Sequence, residues 1–312
     1  MFNSNDNINF YSPDNISKYS LKSSMGYQLR LLDNLDLKTK THSENVANVT
    51  ARICEYLNCK KEFTLYATMC AYLHDVGKIF IPKKILFKDG NLTDEEYEII
   101  KKHTIYGYEM CTKDLKLRQF AEGTLYHHEC LDGSGYPNGV KGNQIPYASQ
   151  IIHVADIYDA LVTKRHYTTH VDISSTLQDI ISESVPSKNE TAMDYLSSSR
   201  KEGKINRKAL NALFKVVIDD TKYEIYQTKQ YIDSLKDNTS RLKQIIDFGE
   251  SAKKHPKKKD YYESGMKVLF TQGENMDNYL DVFNDYKTAI ENKNNLVKQL
   301  ESEIKTLNKL KS

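Results

Sequence analysis

The feature that most constrains the fold is the spacing of apolar residues, which recur at intervals of three and four over most of the chain. Val46, Val49, Ile53 and Leu57 follow this spacing, which places their side chains on one face of an α-helix. Segments with the alternation typical of β-strands are almost absent, so the sequence predicts an all-α bundle. Further helices are predicted from Leu21 and over 63–73, 93–102, 106–110, 151–161, 174–184 and 207–217.

Three segments of different character are expected along the 312 residues. Residues 1–20 are rich in Asn, Ser and Asp and predict a disordered arm, because they cannot bury enough apolar surface to offset their ordering entropy. Residues 21–218 are predicted to form one compact helical domain. Residues 219–312 are predicted to form a helical C-terminal extension.

The extension carries two apolar stripes, one including Ile225, Ile232 and Leu235 and the other Leu296 and Leu300. Such stripes are typical of a seam between long helices. Two arrangements stay open, a coiled-coil homodimer and packing within the chain, and the homodimer is the favoured prediction. The lysine-rich segment KKHPKKK contains a proline that should interrupt the helices, and it is interpreted as a solvated turn rather than a patch for an acidic partner.

Charge and cysteine content exclude several broad classes. The 44 Lys and Arg residues nearly balance the 42 Asp and Glu residues, giving a net charge of +2, so no nucleic-acid polymer or membrane surface is expected as a partner. The five cysteines are odd in number and include no Cys-x-x-Cys pair, which indicates reduced thiols. Because no leader peptide or membrane-length apolar run is evident, a cytoplasmic location is expected.

A histidine followed directly by an aspartate stands within Ala71–Lys78, which reads AYLHDVGK. The pair is predicted to lie inside an apolar helical run. A neutral imidazole offers one nitrogen lone pair and a carboxylate offers two oxygens, so Asp75 can bridge two cations while His74 binds one of them. Taken alone, such a dipeptide is more often a hydrogen-bonded surface pair.

Other residues of ligand type recur in ordered clusters, and each has an ordinary explanation as a polar helix end or a hydrogen-bonded carboxylate. Their joint occurrence predicts one centre for two divalent cations, which at about 3.5 to 4 Å apart can share a bridging hydroxide beside a phosphodiester. Imidazole combined with carboxylate favours iron, manganese or zinc. The additional candidates are His42, His103, His127, His128 and Asp156.

These motifs resemble those of the HD-GYP family from about residue 21 to 218. The resemblance is carried by HDVGK at 74–78, HxxxG at 103–107, HHE at 127–129, DGSGYP at 132–137 and ADIYDAL at 155–161. The family is an all-helical bacterial branch of the HD hydrolases that opens the ring of cyclic di-GMP at an iron or manganese centre. The resemblance therefore implies an HD-type fold, a signalling phosphodiesterase and cyclic di-GMP as substrate.

Matched position by position, the resemblance implies a bridging role for Asp75 between two metal ions, iron or manganese. One ion would be held by His42, His74, Asp75 and Asp156, and the other by Asp75, His103, His127 and His128. Lys38 occupies the place where family members with a third metal ion carry a glutamate. This difference favours two metal ions rather than three.

The substrate contacts implied by the resemblance lie on three segments. Lys78 would stabilise charge at the scissile phosphate, and Arg165 would grip a phosphate with its planar guanidinium. The loop that carries the DGSGYP motif would contribute Gly135, Tyr136 and Pro137 to the substrate site.

Departures from the family pattern affect the substrate contacts more than the ligands. His166 and Thr168 replace the usual proline and basic residue around Tyr167. Two alternatives therefore stay open, a low-activity binding protein that relays the state of a cyclic dinucleotide through its helical tail, and a hydrolase of another cyclic dinucleotide or another nucleotide. Whether the product is linear pGpG or GMP is also left open.

Overall fold

A computed structural model of the protein describes residues 32–165, 173–184 and 203–311, and these contain no β-strand. The all-α prediction is therefore confirmed for the described part of the chain. The predicted arm at 1–20, nearly all of the helix expected from Leu21, and residues 166–168 lie outside it. The helices are α1 Leu37–Tyr56, α2 Lys61–Leu73, α3 Lys83–Leu86, α4 Asp94–Lys101, α5 His103–Lys113, α6 Ala121–Tyr126, α7 Tyr147–Arg165, α8 Ile173–Ser184, α9 Arg207–Lys254, α10 Lys259–Leu269 and α11 Tyr279–Lys311.

The chain divides into two compact units, with a first boundary between Asp219 and Asp220. The first unit runs to Asp219 and also takes in the residues from Thr306 onward, and the second comprises Asp220–Lys305. In the first unit α7 packs against both α1 and α2, and α6 packs against α2 and α5. Their shared core contains large apolar side chains, with Ile53, Met69, Leu73, Ile151 and Ile152 each at most 1% exposed.

Helix α1 begins where the side chain of Asp36 accepts a hydrogen bond from the backbone N–H of Thr39, 3.0 Å away. This cap satisfies one of the free donors of the first turn. It fixes the start of the helix, so His42 lies in its second turn and faces α7.

The apolar run predicted that the His74–Asp75 pair lies inside a helix, and this prediction is wrong. Helix α2 ends at Leu73, and a 3₁₀ turn follows over Val76–Phe80. This tighter turn passes close to α5, since a Cβ built on Gly77 would lie 2.0 Å from the carbonyl oxygen of His103. His74 and Asp75 therefore lie where the chain changes direction sharply, and a side chain there can reach out of the bundle core.

The helix predicted to end at Val217 continues without a break to Lys254. No glycine or proline separates 207–217 from the following stripe, so the backbone hydrogen-bond pattern has no cause to stop. The break expected at Pro256 is present, because α9 ends at Lys254 and a 3₁₀ turn covers Pro256–Lys258.

The second unit buries the apolar stripes within a single chain. Ile225 and Ile232 on α9 form a cluster with Val297 and Leu300 on α11. A second cluster joins Leu242, Ile245 and Met266, and it includes side chains from α10 and α11. The structure thus shows an intrachain partner for the residues that had suggested a coiled-coil seam.

A partly buried ion pair also stabilises the second unit. The guanidinium of Arg241 donates two hydrogen bonds of 2.6 Å to the carboxylate of Glu274, which is 3% exposed. The backbone N–H of Thr271 donates to the same carboxylate at 2.9 Å. The hydrogen bonds from Arg241 are the main cause that lowers the pKa of Glu274 to about 2.

Replacing Glu274 with glutamine should destabilise the protein by about 2 kcal/mol at neutral pH, because a partly buried guanidinium loses its charged hydrogen-bond partner. A carboxylate with a depressed pKa contributes stability above its unfolded pKa of 4.5 and loses it as the pH falls toward 2. The urea midpoint of Glu274→Gln should therefore fall less between pH 6 and pH 3 than that of the natural protein. The control is Glu250→Gln at an exposed pair with Lys254, and equal pH dependence in all three proteins would contradict the prediction.

Candidate metal centre

The structure brings all seven predicted metal ligands together. They come from α1, the turn after α2, the start of α5, the end of α6 and the middle of α7. Ligand atoms of His42, His74 and Asp75 all lie within 4.8 Å of one another, as do those of a second group. The second group consists of His103, His127 and His128.

Asp75 connects the two groups with its two carboxylate oxygens. Its Oδ2 lies 3.3 Å from His74 Nε2 and 3.7 Å from His42 Nε2. Its Oδ1 faces the other group and lies 3.4 Å from His103 Nε2. Each oxygen of this carboxylate thus faces a different group of imidazoles, which is the arrangement needed for a bridging ligand.

Asp156 makes a second connection between the two groups. Its Oδ1 lies 3.0 Å from His42 Nε2 and 4.0 Å from His74 Nε2, while its Oδ2 lies 3.7 Å from His128 Nδ1. The resemblance had assigned this residue to one metal. Its carboxylate in fact faces both groups.

Backbone carbonyls fix the orientation of three histidines. Nδ1 of His74, His103 and His127 lies 2.6, 2.7 and 2.9 Å from the carbonyl oxygen of the residue three positions earlier. Each ring therefore donates from Nδ1 and keeps a lone pair on Nε2. Ligand histidines are commonly oriented by such second hydrogen bonds.

Four buried atoms indicate that cations fit here. Nε2 of His103 and Nε2 of His127 lie 3.2 Å apart with their lone pairs facing each other. Within the described part of the chain, His74 Nε2 and Asp75 Oδ1 are buried without a hydrogen-bond partner. Buried polar atoms without partners are costly, whereas cations held by the two ligand groups would coordinate these atoms.

The ionisation of the second ligand group and of Asp75 also suits metal binding. Burial lowers the pKa of His103 and lowers those of His127 and His128 well below the usual value, so these rings are neutral at pH 7. Burial opposes ionisation of Asp75, but Lys78 and the neighbouring histidines outweigh it and hold the pKa of that carboxyl well below its usual range. Neutral imidazoles and ionised carboxylates are the forms that coordinate cations.

His42 differs from the other histidines because carboxylates flank it on both ring nitrogens. Its Nδ1 lies 2.7 Å from Asp159 Oδ2, and its Nε2 faces Asp156. Burial lowers the pKa of His42, yet the hydrogen bonds to the two aspartates outweigh it and raise the pKa to about 10. Asp159 was not among the predicted site residues. Its spacing of three from Asp156 on one helix face was the signal that could have identified it.

Replacing Asp159 with asparagine should weaken metal binding by roughly 10- to 100-fold, because the orienting carboxylate of a ligand histidine is removed. The measurement is metal retained against a graded chelator, followed by elemental analysis. Asp179→Asn on α8 is the control, since its carboxylate belongs to neither ligand group. Equal retention by Asp159→Asn and the natural protein would show that His42 needs no orienting partner.

Lys78 lies beside the carboxylate of Asp75, with its Nζ 2.5 Å from Asp75 Oδ2. Burial opposes its charge, but the attraction of Asp75 and Asp156 raises the pKa of Lys78, so it stays protonated. Its side chain is 22% exposed. A fixed positive charge thus stands beside the cluster.

The loop containing Gly135, Tyr136 and Pro137 is tied to the histidine pair. The ring of Tyr136 stacks on that of His128 at 4.7 Å between centroids. Glu129 accepts hydrogen bonds from the backbone N–H groups of Asn138 at 2.7 Å and Gly139 at 3.1 Å. Glu129 had been noted only as part of the HHE motif, and its role in holding the loop is visible only in three dimensions.

Arg165 is the last residue of α7, and its side chain lies outside the described part of the structure. Among the described helices, none has the length and apolar character needed to cross a membrane.

An all-helical bundle whose histidines and aspartates converge on two adjacent ligand groups is the arrangement expected of an HD-type domain. The family model described as "HD domain" matches residues 28–186. The chain belongs to the HD domain family, and the resemblance to its HD-GYP branch is confirmed.

Three curated relatives share this region. A cyclic di-GMP phosphodiesterase of Thermotoga maritima is 40% identical over 147 residues, covering 46% of this chain and 40% of the relative. The cyclic di-GMP phosphodiesterase response regulator RpfG of Xanthomonas campestris is 38% identical over 140 residues, covering 44% and 37%. The 3'3'-cGAMP-specific phosphodiesterase 3 of Vibrio cholerae is 34% identical over 148 residues, covering 47% and 32%. The chain thus matches less than half the length of each of these relatives.

Proposed function

We propose that the protein is a phosphodiesterase that hydrolyses cyclic di-GMP at a centre of two metal ions. The observation that carries this proposal is the position of Asp75, whose two oxygens face separate groups of ligand atoms. Two similar relatives are named for activity on cyclic di-GMP, which supports the choice of substrate. Iron or manganese is proposed because both accept mixed imidazole and carboxylate ligands.

The proposed roles follow from the positions of the side chains. His42, His74, Asp75 and Asp156 would hold one ion, and Asp75, His103, His127 and His128 the other. Bound divalent cations would supply positive charge at the phosphodiester and lower the pKa of water. The ammonium of Lys78 is placed to stabilise charge that develops on the phosphate or to protonate the leaving oxygen.

The loop and the helix end would hold the rest of the substrate. Gly135 allows a close approach of the loop to the histidine pair, because a Cβ there would lie 2.3 Å from the backbone nitrogen of Cys130. Tyr136 and Pro137 would line the site beside His128, and Arg165 is proposed to bind a phosphate. The catalytic domain is proposed to span 21–218, with the extension at 219–312 as a separate module. A homodimer and a cytoplasmic location stay predictions.

The test is hydrolysis of cyclic di-GMP by the full chain, purified without oxygen and loaded with Fe(II) or Mn(II). The expected turnover is on the order of 1 per second or faster, with pGpG or GMP as the product. Cyclic di-AMP and 3'3'-cGAMP are assayed alongside, since one relative is named for activity on 3'3'-cGAMP. Exclusive cleavage of 3'3'-cGAMP would transfer the proposal to that substrate. Full metal loading without cleavage of any of the three would favour a binding protein instead.

A further inference from the structure

Helix α4 places an aromatic and a basic side chain against the substrate loop. The ring of Tyr97 meets that of Tyr136 edge to face, with centroids 6.5 Å apart. The ammonium of Lys101 lies 4.7 Å from the Tyr97 centroid and 5.5 Å from the Tyr136 centroid. These two residues are one helical turn apart on α4, and we refer to them as the α4 pair.

The α4 pair is linked to the metal ligands along two routes. Tyr136 joins it to His128 through the stacked rings. The last turn of α4 also supplies the carbonyl of Ile100, which accepts from the Nδ1 of His103 at 2.7 Å. The α4 pair is therefore fixed relative to the ligand groups. Tyr136 lies between its tyrosine and His128.

Both members of the α4 pair are open to solvent. Tyr97 is 46% exposed, although its ring contacts Tyr136 on one side. The side chain of Lys101 is 27% exposed, and its ammonium pairs with the carboxylate of Glu98 at 2.5 Å. Glu98 is itself 65% exposed, so the ion pair lies at the surface, where it is weak and can exchange for another acceptor.

An exposed tyrosine ring with an ammonium beside it matches the chemistry of a guanine base. Aromatic side chains stack on bases with little regard to sequence, since every base has a π-face. An ammonium group distinguishes guanine from adenine. Guanine presents two acceptors, O6 and N7, whereas adenine presents a donor at N6 in place of O6.

We propose that Tyr97 and Lys101 determine base specificity by stacking and hydrogen-bonding one guanine of a cyclic dinucleotide whose phosphodiester lies at the metal centre. Tyr97 supplies the stacking surface, and Lys101 donates to O6, the acceptor that adenine lacks. This inference rests on the proposed phosphodiesterase function and adds the base contact to it.

The experiment compares three phosphodiesters on metal-loaded full chain. Cyclic di-GMP and cyclic di-AMP carry purines, whereas bis(p-nitrophenyl) phosphate carries no base and measures the chemistry of the centre alone. A dinucleotide that is not cleaved is measured instead by its inhibition constant against hydrolysis of the p-nitrophenyl ester. The variants are Tyr97→Ala, Tyr97→Phe and Lys101→Met. Lys88→Met is the matched control, because Lys88 also pairs with a glutamate of α4, Glu96, at 2.5 Å.

Tyr97→Ala should lower kcat/KM for both dinucleotides about tenfold more than for the p-nitrophenyl ester, and Tyr97→Phe should retain the natural values because its ring still stacks. Lys101→Met should reduce the preference for cyclic di-GMP over cyclic di-AMP about tenfold. Lys88→Met should leave that preference unchanged.

An equal loss on all three substrates would assign the α4 pair a purely structural role and overturn the inference. Unchanged dinucleotide kinetics in Tyr97→Ala and Lys101→Met would overturn it as well, while leaving the phosphodiesterase function intact. If the natural protein hydrolyses the p-nitrophenyl ester but neither cleaves nor binds either dinucleotide, the proposed function fails and the base contact fails with it.

Discussion

Replacing Asp75 with asparagine is expected to lower turnover of cyclic di-GMP by about 10³-fold and to remove at least one metal ion per chain. Asparagine has nearly the same shape, but it has no negative charge and only one oxygen. It therefore cannot present an oxygen both to His74 and to His103, as Asp75 does. Elemental analysis of the purified variant and an assay on the same sample measure both effects.

The control for this variant is Asp89→Asn, an exposed carboxylate between α3 and α4. It should retain both metal and activity. Full metal loading and near-natural turnover in Asp75→Asn would contradict the bridging role. Loss of turnover with both metals still bound would instead place Asp75 in the chemical step without a bridging function.

Replacing Gly77 with alanine is expected to destabilise the protein by about 2 to 3 kcal/mol and to disturb the ligand group that contains His103. The added Cβ would lie 2.0 Å from the carbonyl oxygen of His103 and 2.5 Å from the backbone nitrogen of Gly107. Both atoms belong to the backbone of α5, so relief requires a shift of that helix. Urea unfolding of the metal-free protein and metal content after reloading measure the two effects.

Gly265→Ala provides the comparison, because its added Cβ would meet only the ring of Phe248 at 3.5 Å. That is an ordinary van der Waals distance inside a helix, where alanine is favoured over glycine. Its stability should be equal to or slightly above that of the natural protein. A Gly77→Ala variant with natural stability and metal content would show that the turn after α2 has room that the structure does not reveal.

The ligand set could be predicted from the sequence because its members are carried by short motifs. An imidazole or a carboxylate is visible in the sequence, and the resemblance supplied its partners across the chain. The structure places these seven side chains together, and their identity as ligands stays a proposal until metal is measured. The carbonyls that orient His74, His103 and His127 could not be predicted, since every residue has a carbonyl and only the fold decides where it points.

Two errors in the predicted fold have a common physical origin. The apolar run through Leu73 indicated a helix across His74 and Asp75, but the close approach of Gly77 to α5 requires a tighter turn there. Likewise, a change in composition near Asp219 suggested the end of a helix, yet no residue there interrupts the backbone hydrogen bonds of α9. Local patterns predict the presence of helices better than their ends, because tertiary contacts determine where a helix ends.

The C-terminal stripes illustrate a further limit. Ile225 and Ile232 predicted a seam, and they pack against Val297 and Leu300 of the same chain. A stripe of this kind indicates that a helix face is buried but does not identify its partner. A homodimer through 219–312 would therefore need surface other than these residues.

The most direct test of the account is the number and position of metal ions in a crystal of the iron- or manganese-loaded protein, measured by anomalous diffraction at the metal edge. The account predicts two peaks per chain about 3.5 to 4 Å apart, with one oxygen of Asp75 bound to each. A single peak, or two peaks with Asp75 bound to only one of them, would contradict the bridging centre on which the proposed function rests.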